Sequence, residues 1–129
     1  MLIVQKVKYE IKKLNRKDWP PLLEEINQIP ERLFYAGQIA DWKRKILCVV
    51  GARKNTSYGK AATETFIEGL RGYPITIVSG LALGIDSIAH RAALKNNIPT
   101  IAIPGSGISL EVLHPQSHTR LAQEIVEKG

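Results

Sequence analysis

A chain of 129 residues amounts to one domain at most, and a composition 44% hydrophobic and 23% charged is that of a globular protein able to bury a modest core. No stretch approaches the ~18 uninterrupted apolar residues of a membrane span, and the N-terminus, MLIVQKVKYE, meets lysine by position 6 and lacks the pattern of a signal peptide. The single cysteine, Cys48, excludes an intramolecular disulfide and a cysteine-rich metal site. Lying in an apolar run, it reads as a small buried hydrophobe, and a cytoplasmic location follows as the default. The net charge of +6 is uneven: residues 1–45 hold ten Lys/Arg against six Asp/Glu, and 46–129 hold eight against six. Such an excess suits an anionic partner, although charge alone favours a merely solvated face for KVKYEIKKLNRK.

Residues 1–45 form a basic lead-in expected to pack on a main domain at 46–129. Val4, Val7, Tyr9 and Ile11 hint at an alternating strand. Leu22, Leu23 and Ile26, opened by Pro20-Pro21, fit a short amphipathic helix ending before Pro30. Arg32 to Gly37 suggests a short strand, and Trp19, Phe34, Tyr35 and Trp42 are expected to anchor the segment.

From residue 46 the pattern sharpens. Ile46 to Val50 is a continuous apolar run, predicting a strand buried on both faces and ending in Gly51-Ala52-Arg53. A helix is predicted from about Tyr58 to Arg71, with Ala61, Ala62, Thr65, Phe66 and Leu70 inward and Gly72 closing it. Ile75 to Val78 is a second buried strand, ending in Ser79-Gly80. A second helix spans roughly Gly84 to Asn96, with Ile85, Ile88, Ala89, Ala92 and Ala93 inward. Ile98 to Ile103 is a third strand, and a last helix runs from about Ser117 to Lys128. This alternation predicts an α/β fold, a Rossmann-like parallel sheet with βαβ crossovers. Ligands of such sheets sit outside the carboxyl ends of the strands, where the three glycine-containing turns should converge.

The segment Gly51 to Gly59 carries the most chemistry. Gly51 lets a phosphate approach the backbone, and the following helix offers free N–H groups and a positive dipole end. Arg53 and Lys54 add cationic charge, while Thr56 and Ser57 can cap the helix or donate to an anion. The alternative is an ordinary capping turn with two exposed basic residues. Neither the dinucleotide G-x-G-x-x-G nor the phosphate-loop spacing is present. After the second strand, Ser79, Gly80 and Gly84 flank a turn into a helix carrying Asp86 and His90 on one face. These two make either an acid/base pair or a structural pair tying helix to turn. With no nucleophile or second carboxylate beside them, the structural reading is preferred. Pro104 to Gly107 is a weak backbone nest. His114 and His118 are read as surface or capping histidines rather than a metal pair, and no cofactor is expected. Tyr58 stands where it can stack on a base.

Taken in order, the motifs resemble the DNA-processing protein A (DprA/Smf) family of natural transformation. Trp19-Pro20-Pro21 through Ile26 and Ile29-Pro30 through Gly37 resemble its lead-in. Val49-Val50-Gly51-Ala52-Arg53 with Tyr58-Gly59 resembles its Val-Gly-x-Arg…Tyr-Gly turn, and Val78 to Leu94 its most diagnostic block. Thr100 to Ile103 and His114-Pro115…Leu121 follow. The resemblance implies a non-catalytic protein that binds single-stranded DNA and acts with the RecA recombinase, with Arg53 a DNA-binding residue and Ser79-Gly80 bordering the same pocket. Gly51, Lys54 and Ser57 complete the expected nucleic-acid site. Leu83 stands where the family often has arginine, and His114 and His118 where tyrosine and asparagine are usual. Residues 46–129 match about half of the family's Rossmann-like domain, leaving a sheet edge and an apolar face open. The chain is then either part of a longer protein or completes its sheet as a homodimer. A different reading is a nucleotide-binding or nucleotide-hydrolysing enzyme of the LOG type, which Pro104-Gly105-Ser106-Gly107 only partly matches.

Overall fold

The computed structural model describes residues 8–129. Val4 and Val7 of the expected alternating strand lie outside the described residues. In the lead-in, strand β1 (Lys12–Lys13) pairs antiparallel with β2 (Phe34–Tyr35), Lys12 opposite Tyr35 and Lys13 opposite Phe34. The expected helix after the prolines is a 3-10 turn over Pro21–Glu25 with no buried residue. Five residues without a buried stripe are too few to nucleate an α-helix. Trp19 is buried and its indole N–H donates to the Leu14 carbonyl at 3.2 Å, while Trp42 donates to the Asp18 carbonyl at 2.8 Å. Phe34 is no anchor: it is 57% exposed, because alternation along the short ladder turns it outward where Tyr35 turns in.

The main sheet has order β3-β4-β5, all parallel, with β3 at Lys45–Cys48, β4 at Ile75–Ser79 and β5 at Thr100–Ala102. Helix α1 (Ser57–Glu68) joins β3 to β4, α2 (Ile85–Lys95) joins β4 to β5, and α3 (Thr119–Lys128) follows β5. One core cluster unites Ile67 of α1, Ala89, Ala92 and Ala93 of α2, Ile77 of β4 and Ile98, with Leu47, Val49, Leu70 and Ile75 against it. Hence α1 and α2 cover the same sheet face. A second cluster joins Leu81, Leu113, Leu121, Ala122 and Ile125 to Tyr9, which brings the lead-in onto α3. The Tyr9 hydroxyl also donates to the Ile108 carbonyl at 2.6 Å.

The expectations for the first strand, Cys48 and the two crossover helices are corrected here. The first strand is not buried on both faces: Leu47 and Val49 meet the helices, but Ile46 is 47% and Val50 66% exposed. Cys48, on the same side, is exposed rather than buried. Among the described residues only one sheet face carries helices, and β3 is an edge, so the apolar run is half covered. Helix α1 ends at Glu68, before Arg71; it turns Thr63 and Ile67 inward, with Leu70 packing on the core from the turn just past its end as expected, and leaves Phe66 56% exposed. The inward positions follow the i, i+4, i+7 spacing from Thr63, and Ala61, Ala62 and Thr65 face solvent with Phe66. In α2 the inward face includes polar Asp86, Ser87 and His90, with Ile85 and Ile88 only half-buried.

Candidate functional site

The carboxyl ends of β3, β4 and β5 open into a crevice of about 220 Å³. Arg53 lines it from the turn after β3, Gly80, Ala82 and Leu83 from the turn after β4, and Gly105 and Ser106 from the turn after β5. His114 and Pro115 complete the wall. Arg53 and Lys54 are exposed and in no ion pair among the described residues. Lys54 and Ser57 sit on the same connection without lining the crevice, and so does Tyr58, which is 82% exposed. Thr56, not Ser57, caps α1: its hydroxyl oxygen accepts the Gly59 N–H at 3.0 Å.

The glycine turns are already occupied by an anion of the chain's own. Asp86, in the first turn of α2, accepts the Gly51 N–H at 3.3 Å through one carboxylate oxygen and the Gly80 N–H at 3.1 Å through the other. These two N–H groups are therefore not free for a phosphate. The glycines serve close packing. A Cβ on Gly51 would press into Ile85 at 2.8 Å, and one on Gly84 would collide with the carbonyl oxygens of Ala52 and Arg53. Gly84 also adopts φ +79°, a region that L side chains avoid, at the point where the Ile85 N–H donates to the Ala52 carbonyl at 3.1 Å. Ser79 is buried, and its hydroxyl donates to the Val49 carbonyl at 2.6 Å, tying β4 to β3 rather than facing a ligand.

Asp86 and His90 share a helix face but make no hydrogen bond to each other. His90 is fully buried, with Nδ1 at 2.7 Å from the Thr100 hydroxyl. That hydroxyl donates to the Ile77 carbonyl at 3.1 Å, so it accepts from His90, assigning the proton to Nδ1. Burial lowers the His90 pKa to about 4, with the Asp86 charge and the Ser79 backbone opposing and His118 reinforcing the shift. His90 therefore bridges α2 to β5 as a neutral ring.

Two features escaped the sequence reading. His118 is neither a surface nor a capping histidine: it is buried, and its Nδ1 lies 2.8 Å from the Leu81 carbonyl. Leu81 itself has φ +60°, a left-handed conformation that is strained for a leucine, stabilised by that bond and by its side chain in the second core cluster. His114 stands in the crevice wall, its N–H donating to the Ser106 hydroxyl at 3.0 Å, a placement that no local pattern signals. Among the described residues no helix is long and apolar enough to cross a membrane.

A parallel α/β sheet with a crevice, lined in part by Arg53, outside the carboxyl ends of its strands defines a Rossmann-type domain. The chain belongs to the DNA recombination-mediator protein A family, whose sequence model matches residues 10–129. It is 40% identical to Protein Smf of Escherichia coli over 111 residues, covering 86% of this chain and 29% of that protein. The X-ray structure of DNA processing protein A from Streptococcus pneumoniae superposes with a TM-score of 0.78 at 38% identity, over 94% of this chain and 42% of that one. A structure of DNA processing protein A from Helicobacter pylori, described for its single-stranded DNA binding mode, superposes with a TM-score of 0.76 at 29% identity, over 97% and 55% of the two chains. The chain thus spans roughly a third to a half of the proteins it matches.

Proposed function

We propose that this chain is a single-stranded DNA-binding unit that holds the strand without cutting or modifying it. Arg53 takes a backbone phosphate in the crevice, and Lys54 takes another beside it. The observation that carries the reading is Arg53 itself: a cation without an ionic partner among the described residues, lining a crevice at the carboxyl ends of the strands. Its planar fork suits a pair of phosphate oxygens. A non-catalytic role is supported by Asp86 and His90, the acid/base pair of the turn after β4, both buried and engaged in holding the structure together. In the longer proteins of this family we infer that the unit delivers its strand to the RecA recombinase in DNA processing, in the cytoplasm.

The test is fluorescence anisotropy of a labelled single strand across a salt series. Arg53→Ala should weaken binding and reduce the slope of log K against log salt by about 0.7, the counterion release of one phosphate contact on a single strand. Equal affinity of variant and parent at every salt concentration would overturn the assignment.

A further inference from the structure

The crevice lining is chemically mixed. Of its lining side chains, the Ser106 hydroxyl is committed twice, accepting the His114 N–H at 3.0 Å and donating to the Gly107 carbonyl at 3.1 Å. Arg53 and His114 are the two lining side chains whose polar atoms have no hydrogen-bond partner among the described residues. The segment presenting His114 is fixed on both sides. Leu113 and Pro115 are buried, Leu113 in the second core cluster, and His118 is bonded to the Leu81 carbonyl. The exposed His114 ring is therefore offered from a rigid backbone and loses little freedom on making a contact. Ala82, Leu83 and Pro115 bring no hydrogen-bonding side chain to the crevice. Its lining thus combines the Arg53 cation, apolar side chains and the His114 ring as a further hydrogen-bonding group.

A nucleotide calls for the same set of partners: it has a charged phosphate, and a flat apolar base with a polar edge. We propose that the crevice takes one nucleotide of the strand, and that His114 hydrogen-bonds the edge of its base, giving a base preference to binding that is otherwise sequence-independent. This rests on the single-strand reading above. Phosphate contacts carry no base information, whereas a hydrogen bond to a base edge does.

The experiment measures the 129-residue chain against oligo(dT), oligo(dA) and an abasic oligomer of equal length, by anisotropy at several salt concentrations. The parent should prefer one homopolymer. His114→Ala should weaken that one by roughly fivefold, the order of one net hydrogen bond. Affinity for the abasic strand and the salt slope should stay as in the parent. His114→Gln, which keeps a hydrogen-bonding group, should recover part of the preference. Because the ring is exposed, the thermal midpoint of both variants should match the parent's, so folding does not confuse the result. Loss of affinity for all three strands alike, a changed salt slope, or no change at all would overturn the proposal. The two readings fail separately. If Arg53→Ala leaves every probe unaffected, the strand-binding site is wrong; if Arg53→Ala weakens all three and His114→Ala none, only the base contact is.

Discussion

Acidification should unfold this protein through His90. The ring is fully buried and held at a pKa of about 4, against 6.5 for an unperturbed histidine. The unfolded chain therefore binds a proton that the folded chain refuses between these two values, so stability rises with pH across that window. Sign and range follow directly: the contribution is fully present above pH 6.5 and is lost as pH falls toward 4. A difference of this size is worth about 3 kcal/mol in all, of which about 2 kcal/mol is gone by pH 5. For a domain whose total stability is on the order of 5–15 kcal/mol, that is a large share. The charged or titratable groups facing the ring are Asp86, which favours the protonated ring, and His118, which opposes it. The assay is urea unfolding at a series of pH values from 7 to 4.5, for the parent and for His90→Gln. The glutamine variant loses the bond to Thr100 and starts less stable, but its stability should fall less steeply over the window. Should the variant not fold, the ring carbon resonances of His90 in the parent provide the same test, remaining those of a neutral imidazole down to about pH 4.5. Equal pH slopes in parent and variant, or a ring that titrates near 6.5, would refute the reasoning.

Two further predictions concern the turns and the sheet. Asp86→Ala should destabilise the fold by about 2–4 kcal/mol in denaturant unfolding, since it strands the N–H groups of both Gly51 and Gly80 and removes charge-assisted bonds; a change below about 1 kcal/mol would deny the carboxylate its bridging role. Cys48, exposed on the open sheet face, should react with a thiol reagent in the native chain at a rate close to that in denaturant, whereas a reaction that waits for unfolding would show that face to be covered.

The order of elements was legible in the sequence. Apolar runs at 46–50, 75–78 and 98–103, alternating with helical periodicity and punctuated by glycine, lead to a three-stranded parallel sheet whose elements fall within a few residues of the predicted bounds. The motifs around Gly51-Ala52-Arg53 and Ser79-Gly80 identify the family, and Arg53 lines the crevice at the strand ends. Burial was less legible. An apolar run shows that Ile46, Cys48 and Val50 are suited to cover, but not whether anything packs on that side; α1 and α2 share one face, so the other stays open among the described residues. The glycine turns show the same limit. Their spacing announces close approach of backbone to something, and local sequence cannot distinguish a bound phosphate from the Asp86 carboxylate of the next helix.

What the sequence determines by itself is therefore the set of elements, their order and the chemistry available at the turns, because periodicity and turn residues act over a few neighbouring positions. Tertiary structure decides which groups remain free to use that chemistry. It commits the Gly51 and Gly80 donors to Asp86, buries His118 under Leu81, and brings His114 to the crevice that Arg53 lines, although 61 positions separate the two in the chain (114 − 53). Such pairings depend on how distant turns meet at the ends of the strands, and no local pattern encodes that meeting.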